Sequence, residues 1–198
     1  MTVFYSSFTY MDDIIEEIRE AMIALASEEA QEATRKFVPT SVNVYGLRMP
    51  QLNDLASKYS RYGWDLSEAL WDRGSFEERM LAVKILAKCP VRQPEKAFAL
   101  MEKFRPEVND WAICDTLGLV GSRKFIRKIP DTYFNAAVRY LSHPDPWTIR
   151  LGLVLLIHFT SMPGYTQKVP RLVDPLRGHP DHYVKKAIVW IDKHIARN

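Results

Sequence analysis

Four side chains that lie far apart along the chain have types and settings that could do chemistry together. Trp111 and Asp115 stand four residues apart in Asn109-Asp110-Trp111-Ala112-Ile113-Cys114-Asp115. A helix opened by Asn109 or Asp110 as N-cap presents both on one face. Ile113, Leu117 and Val120 fall on the opposite face and are expected to pack into a core. Arg150 is the only formal charge between Pro146 and Phe159, and a guanidinium in so apolar a stretch must find an anion or reach solvent. On the last helical stretch, Val184, Ile188, Ile191 and Ile195 make the core face, while Tyr183, Lys186 and Trp190 lie opposite it. Two indoles with a carboxylate and a guanidinium between them favour flat or cationic ligands. The carboxylate favours positive charge in a substrate or transition state. Plainer readings stand beside this one: Trp111 packs on a neighbour with Asp115 solvated, and Arg150 makes a structural ion pair for which Asp115 is the candidate partner. Phosphate binding by Arg150 is compatible with that pair, because one guanidinium can serve a carboxylate and a phosphate together.

No other chemistry stands out. Zinc spacings, P-loops, dinucleotide fingerprints and nucleophile motifs are absent, so neither a metal nor a cofactor is expected. Cys89 and Cys114 are far apart and lack metal spacing. His143 and His179 sit in turns, where they read as helix caps, and His158, His182 and His194 form no usable pattern. No apolar run approaches a membrane span, and no basic segment precedes an apolar leader, so the expected location is the cytoplasm. The net charge of +3 is unevenly spread. Asp12, Asp13, Glu16, Glu17, Glu20, Glu28, Glu29 and Glu32 make the first 35 residues acidic. Arg123, Lys124, Arg127 and Lys128 form a basic run, followed by Lys168, Arg171, Arg177, Lys185 and Lys186. Such asymmetry suits a polyanion-binding surface, although each cluster alone also reads as a solvated helix face.

The elements that must position these residues are all helical. Ile14, Ile15, Ile18, Met22 and Leu25 predict an amphipathic helix over 11–26, after a tail of 1–10. A second helix over 28–37 ends at Val38-Pro39-Thr40. The stretch 42–49 is extended but has no partner strand, and it leads into Pro50 as a first helical residue. Further helices are predicted at about 50–61, 65–73, 75–88, 94–104, 111 onward, 122–128, 130–141, 146–160, 165–177 and 181–196.

The chain also repeats. His143-Pro144-Asp145 recurs as His179-Pro180-Asp181, and at that offset Trp147 matches Tyr183 and Arg150 matches Lys186. Trp111 lies the same distance before Trp147. A period of roughly 35–45 residues with two helices each is the mark of a HEAT-like array. The expected fold is therefore an all-α, right-handed α-solenoid of HEAT-like helix pairs, one domain over 1–198, with repeats clearest from about 65 onward. Its inner helices would carry Trp111, Arg150 and Lys186 on a concave, basic face.

The residues also resemble a known family. Tyr45-Gly46-Leu47-Arg48-Met49-Pro50, Leu70-Trp71 followed by Glu77-Glu78-Arg79-Met80-Leu81-Ala82, Trp111-Ala112-Ile113-Cys114-Asp115, Arg150 after the Pro-Asp-Pro turn, and Lys185-Lys186-Ala187-Ile188-Val189-Trp190 keep its order and approximate spacing. From about residue 11 onward the chain is similar to bacterial DNA alkylation repair enzymes of the AlkD type, the HEAT-like-repeat DNA glycosylases. The resemblance implies excision of positively charged N3- and N7-alkylated purines from duplex DNA. Asp115 would stabilise an oxocarbenium ion and position water, Trp111 and Trp190 would contact backbone and sugar, and Arg150 would hold phosphate. It implies no pocket for a flipped base. Arg48, Arg123, Lys124, Lys185 and Lys186 join Arg150 as expected DNA contacts. A monomer without an obligate protein partner is expected. The chain departs from the pattern in its shortness and in Phe37, where a hydroxylated aromatic is expected. Two alternatives remain: a non-catalytic binder of unusual DNA structures on the same scaffold, and a protein-interaction solenoid.

Overall fold

The computed structural model describes residues 3–38 and 43–197, the side chains of 3–9 excepted. Among these residues there is no strand. The fold is all-α, as the sequence predicts, built of packed helices as in an α-solenoid, and it divides into two compact units, Met1–Cys89 and Pro90–Asn198.

The first unit holds α1 (Val3–Leu25), α2 (Glu28–Phe37), α3 (Met49–Tyr59), α4 (Gly63–Arg73) and α5 (Phe76–Leu86). Ile14, Ile15, Ile18 and Met22 of α1 are buried, as their spacing requires. The helix starts at Val3 rather than near 11, so the backbone expected as a tail is helical from there. The breaker expected at Pro39 and Thr40 lies outside the described residues, and Phe37, the last residue of α2, is exposed.

Two of the sequence motifs prove to be one device. Glu77 is fully buried, and its carboxylate accepts hydrogen bonds from the backbone N–H groups of Tyr45 (3.0 Å), Gly46 (2.8 Å) and Leu47 (3.2 Å). The extended segment 43–48 thus satisfies its amides on a side chain instead of a partner strand. Gly46 is required there. Its φ of 99° lies in the left-handed region, and a Cβ would stand 2.5 Å from the Ser27 carbonyl oxygen. Glu78 closes a capping box with Ser75 and receives Arg19 Nε at 2.8 Å. The Arg79 guanidinium lies 5.1 Å from the Trp71 ring.

The second unit holds α6 (Pro94–Phe104), α7 (Trp111–Thr116), α8 (Arg123–Ile126), α9 (Pro130–Tyr140), α10 (Pro146–Leu156), α11 (Lys168–Val173) and α12 (His182–Ile195). Its centre is α10, which packs against α7, α9 and α12. Every residue from Thr148 to Leu156 is buried, so a helix apolar on all sides is what this position demands.

The three helices that bear the candidate residues begin alike. Asp110, not Asn109, caps α7 by accepting from Ile113 N at 2.8 Å. Asp145 caps α10 through Thr148 N at 2.7 Å, and Asp181 caps α12 through Tyr183 N and Val184 N at 2.8 and 2.9 Å. His143 and His179 act as the sequence suggests: Nδ1 of each accepts from the N–H of the capping aspartate two residues on, at 3.1 and 3.2 Å.

Two core expectations are corrected. Leu25, the last residue of α1, is exposed, and so is Val120, although Ile113 and Leu117 are buried as expected. Directly after α7 the chain passes into a π-helical turn, Leu117–Gly121. That wider turn advances fewer degrees per residue, which rotates Val120 out of the core.

Candidate active site

Trp111 and Asp115 share a face of α7, Arg150 comes from the middle of α10, and Tyr183, Lys186 and Trp190 come from α12. Together these six line one depression of about 430 Å³ on the second unit. The close approach of its elements depends on Gly118, where a Cβ would meet Val154 Cγ1 of α10 at 2.6 Å. With no side chain at 118, the backbone after α7 can lie against α10, one turn from Asp115.

The central contact is a two-pronged ion pair. Arg150 Nε donates to Asp115 Oδ1 at 3.0 Å, and Nη2 donates to Oδ2 at 2.8 Å. Nη1 donates to the Tyr183 carbonyl at 2.7 Å. Three of the five guanidinium N–H groups are thus committed, and the Arg150 side chain is only 6% exposed against 16% for Asp115. Asp115 is fixed in orientation by the fork, and Arg150 is fixed by α12. The plainer reading of Arg150 as a partner of Asp115 is therefore correct, and its remaining N–H groups leave a phosphate contact open.

Burial raises the pKa of Asp115 above the ordinary aspartate value, while the hydrogen bonds and charge of Arg150 pull it back. The neighbouring Cys114 thiol is fully buried and held well above its usual range, first by burial and then by the Asp115 charge. It is a packing residue, not a nucleophile.

The aromatic surroundings are ordered. Trp147 and Tyr183, which share a repeat position, lie with ring centroids 4.6 Å apart and planes inclined by 34°. Lys186 is exposed at the rim and makes no ion pair among the described residues. Of the other expected DNA contacts, Lys185 is exposed on α12 next to this depression but does not line it. Arg123 lines a different cleft, and Lys124 lies over the Phe125 ring at 5.0 Å. Arg48 belongs to the first unit, where it pairs with Glu29 at 2.8 Å.

Sequence reasoning placed Tyr183 on the face of Trp190 but missed two features, the bond accepted by its backbone carbonyl, an acceptor every residue has, and the close packing at Gly118. Gly118 carries no sign of its packing role. Among the described residues no three His, Cys, Asp or Glu side chains gather as a metal site, and no helix is long and apolar enough to cross a membrane.

A family model described as DNA alkylation repair enzyme matches residues 18–198. Among curated proteins, no relative matches the chain.

Proposed function

The chain belongs to the DNA alkylation repair enzyme family, and we propose that its activity is that of a DNA glycosylase releasing positively charged N3- and N7-alkylated purines from duplex DNA. The observation that carries this reading is Asp115: a carboxylate held by a guanidinium fork, in a depression that also presents Trp111 and Trp190.

The chemistry follows from where charge moves. An N3- or N7-alkylated purine is already cationic, so it leaves without a proton donor. The C1′–N9 bond breaks, its electron pair neutralises the departing base, and positive charge passes to the sugar as an oxocarbenium ion. Water then adds to C1′ and releases a proton. A carboxylate beside that sugar is stabilising throughout, and most so where the charge reaches C1′. Asp115 serves this end, with Trp111 and Trp190 flanking the nucleotide. Arg150 acts as a positioning residue that fixes the carboxylate, and Lys186 with Lys185 meets backbone phosphate. The open depression suits a base that stays in the duplex.

The test is release of free 7-methylguanine and 3-methyladenine from methylated duplex DNA. Time-dependent release by the purified protein is the expected result, and its absence at excess enzyme overturns the reading. One observation favours a second reading: a carboxylate already paired with arginine is also what a structural ion pair looks like. On that reading the protein binds DNA without cleaving it, so binding without release identifies it.

A further inference from the structure

A second, larger cleft lies on the other side of Trp190. It measures about 630 Å³, and Trp190 lines both it and the Asp115 depression. Arg123 and Arg127 reach it from the region of α8, His158 from the turn after α10, and His194 and Arg197 from the end of α12. No Asp or Glu lines it. Among the described residues Arg123, Arg127 and Arg197 make no ion pair. This is unlike the arginine-lined cleft of the first unit, where Glu78 stands among Arg19, Arg35 and Arg73.

Gathering uncompensated guanidiniums around one concavity costs repulsion that a multivalent anion relieves. The hydroxyl of Ser161 on the same wall adds a neutral hydrogen-bond donor. His158 is anchored by its Nε2 contact to the Gly118 carbonyl at 3.0 Å. Burial first, and the charges of Arg123 and Arg127 to a lesser extent, push its imidazole toward the neutral form against the pull of the Gly118 carbonyl.

The two concavities are joined by one helix. Lys186, Trp190 and His194 follow at helical spacing along α12, and Arg197 comes two residues beyond its end. From Lys186 to His194 is about 12 Å of helix, the length of roughly three to four nucleotides of one strand of B-DNA.

We infer that this cleft is a second phosphate site, which takes a backbone phosphodiester of the strand whose sugar lies at Asp115, with Trp190 standing between the two. The inference rests on the reading of the Asp115 depression as a DNA site. It assigns Arg123, Arg127 and Arg197 to the strand flanking the lesion, at a distance from the reacting sugar.

The experiment measures binding of a lesion-bearing duplex by fluorescence anisotropy across a salt series. It compares wild type, Arg123→Ala/Arg127→Ala, the charge-preserving Arg123→Lys/Arg127→Lys, and Arg92→Ala, a charge-loss control outside the cleft. The alanine pair is expected to bind about ten-fold or more weakly at ~0.1 M salt. Its slope of log K against log salt should be shallower by about 1–2, one phosphate contact being worth about 0.9 in that slope. The lysine pair and Arg92→Ala should keep the wild-type slope. A wild-type slope in the alanine pair overturns the inference, as does an equal fall in slope for Arg92→Ala. Base release is read in parallel. Wild type that releases base while the alanine pair binds normally overturns the cleft alone. Wild type that binds but releases nothing overturns the glycosylase reading alone, provided the slope still responds to the alanine pair. Wild type that does not bind DNA overturns both.

Discussion

Two opposed effects are balanced at Asp115: burial disfavours its charge and the Arg150 fork favours it. The balance leaves its pKa above the ordinary aspartate value, which has a kinetic consequence. If the ionised carboxylate is what stabilises the oxocarbenium ion, base release must fall as pH drops through that raised pKa. The acid limb of the pH–rate profile therefore lies above the range of a solvated aspartate. Arg150→Gln removes the group that lowers the pKa, so the limb moves to still higher pH as the maximal rate falls. A limb unmoved by Arg150→Gln would mean that Asp115 is not the titrating group. Arg150→Ala should also destabilise the fold by about 3–5 kcal/mol, since it leaves a buried carboxylate unpaired; thermal or denaturant unfolding reads this. The indole–carboxylate pair of α7 and the isolated Arg150 were legible in the sequence because their spacing is local and their types are out of place. Their pairing was legible as the plainer reading of Arg150; the Tyr183 carbonyl that fixes Arg150 was not, because a backbone acceptor has no signature in the residue that bears it.

At the scale of elements, the helix starts were legible wherever a capping side chain announces them. Asp110, Asp145 and Asp181 each do so, with His143 and His179 tying down the latter two. What the sequence concealed is how closely the elements approach. The π-helical turn after α7 put Val120 in solvent against expectation, and Gly118 lets that turn lie on α10. Gly118→Ala should cost about 1–3 kcal/mol by overpacking against Val154. It should also lower base release, since it presses on the two helices that bring Asp115 to Arg150. Val154→Ala opens space at the contact and should restore part of both, measured by melting and by turnover. In the first unit the equivalent device is Glu77, whose carboxylate organises segment 43–48. Glu77→Ala strips three backbone amides of a charged acceptor and should destabilise by about 3 kcal/mol or more, without shifting the pH–rate profile of whatever activity survives.

For the whole molecule, the all-α class followed from helical periodicity throughout and from the absence of any partner for the extended stretch before Pro50. Charge was legible only in outline. The run from Arg123 to Lys128 was visible as a run, but its meeting with His158, His194 and Arg197 around one cleft joins segments distant in sequence. Binding to duplex DNA should weaken steeply with salt, as expected for phosphate neutralisation by Lys186, Lys185 and the cleft arginines. A salt-insensitive interaction would instead favour a protein-interaction module.

In the proposed reaction it is the charge of Asp115 that stabilises the developing sugar cation. The most direct measurement compares wild type and Asp115→Asn for release of 7-methylguanine from methylated duplex DNA, with DNA affinity measured on the same preparations. Asparagine keeps the shape and removes the charge. The expected result is a loss of about 10²–10³-fold or more in rate, on the scale of removing one preorganised electrostatic group, with affinity largely kept. Release by Asp115→Asn at the wild-type rate would contradict it.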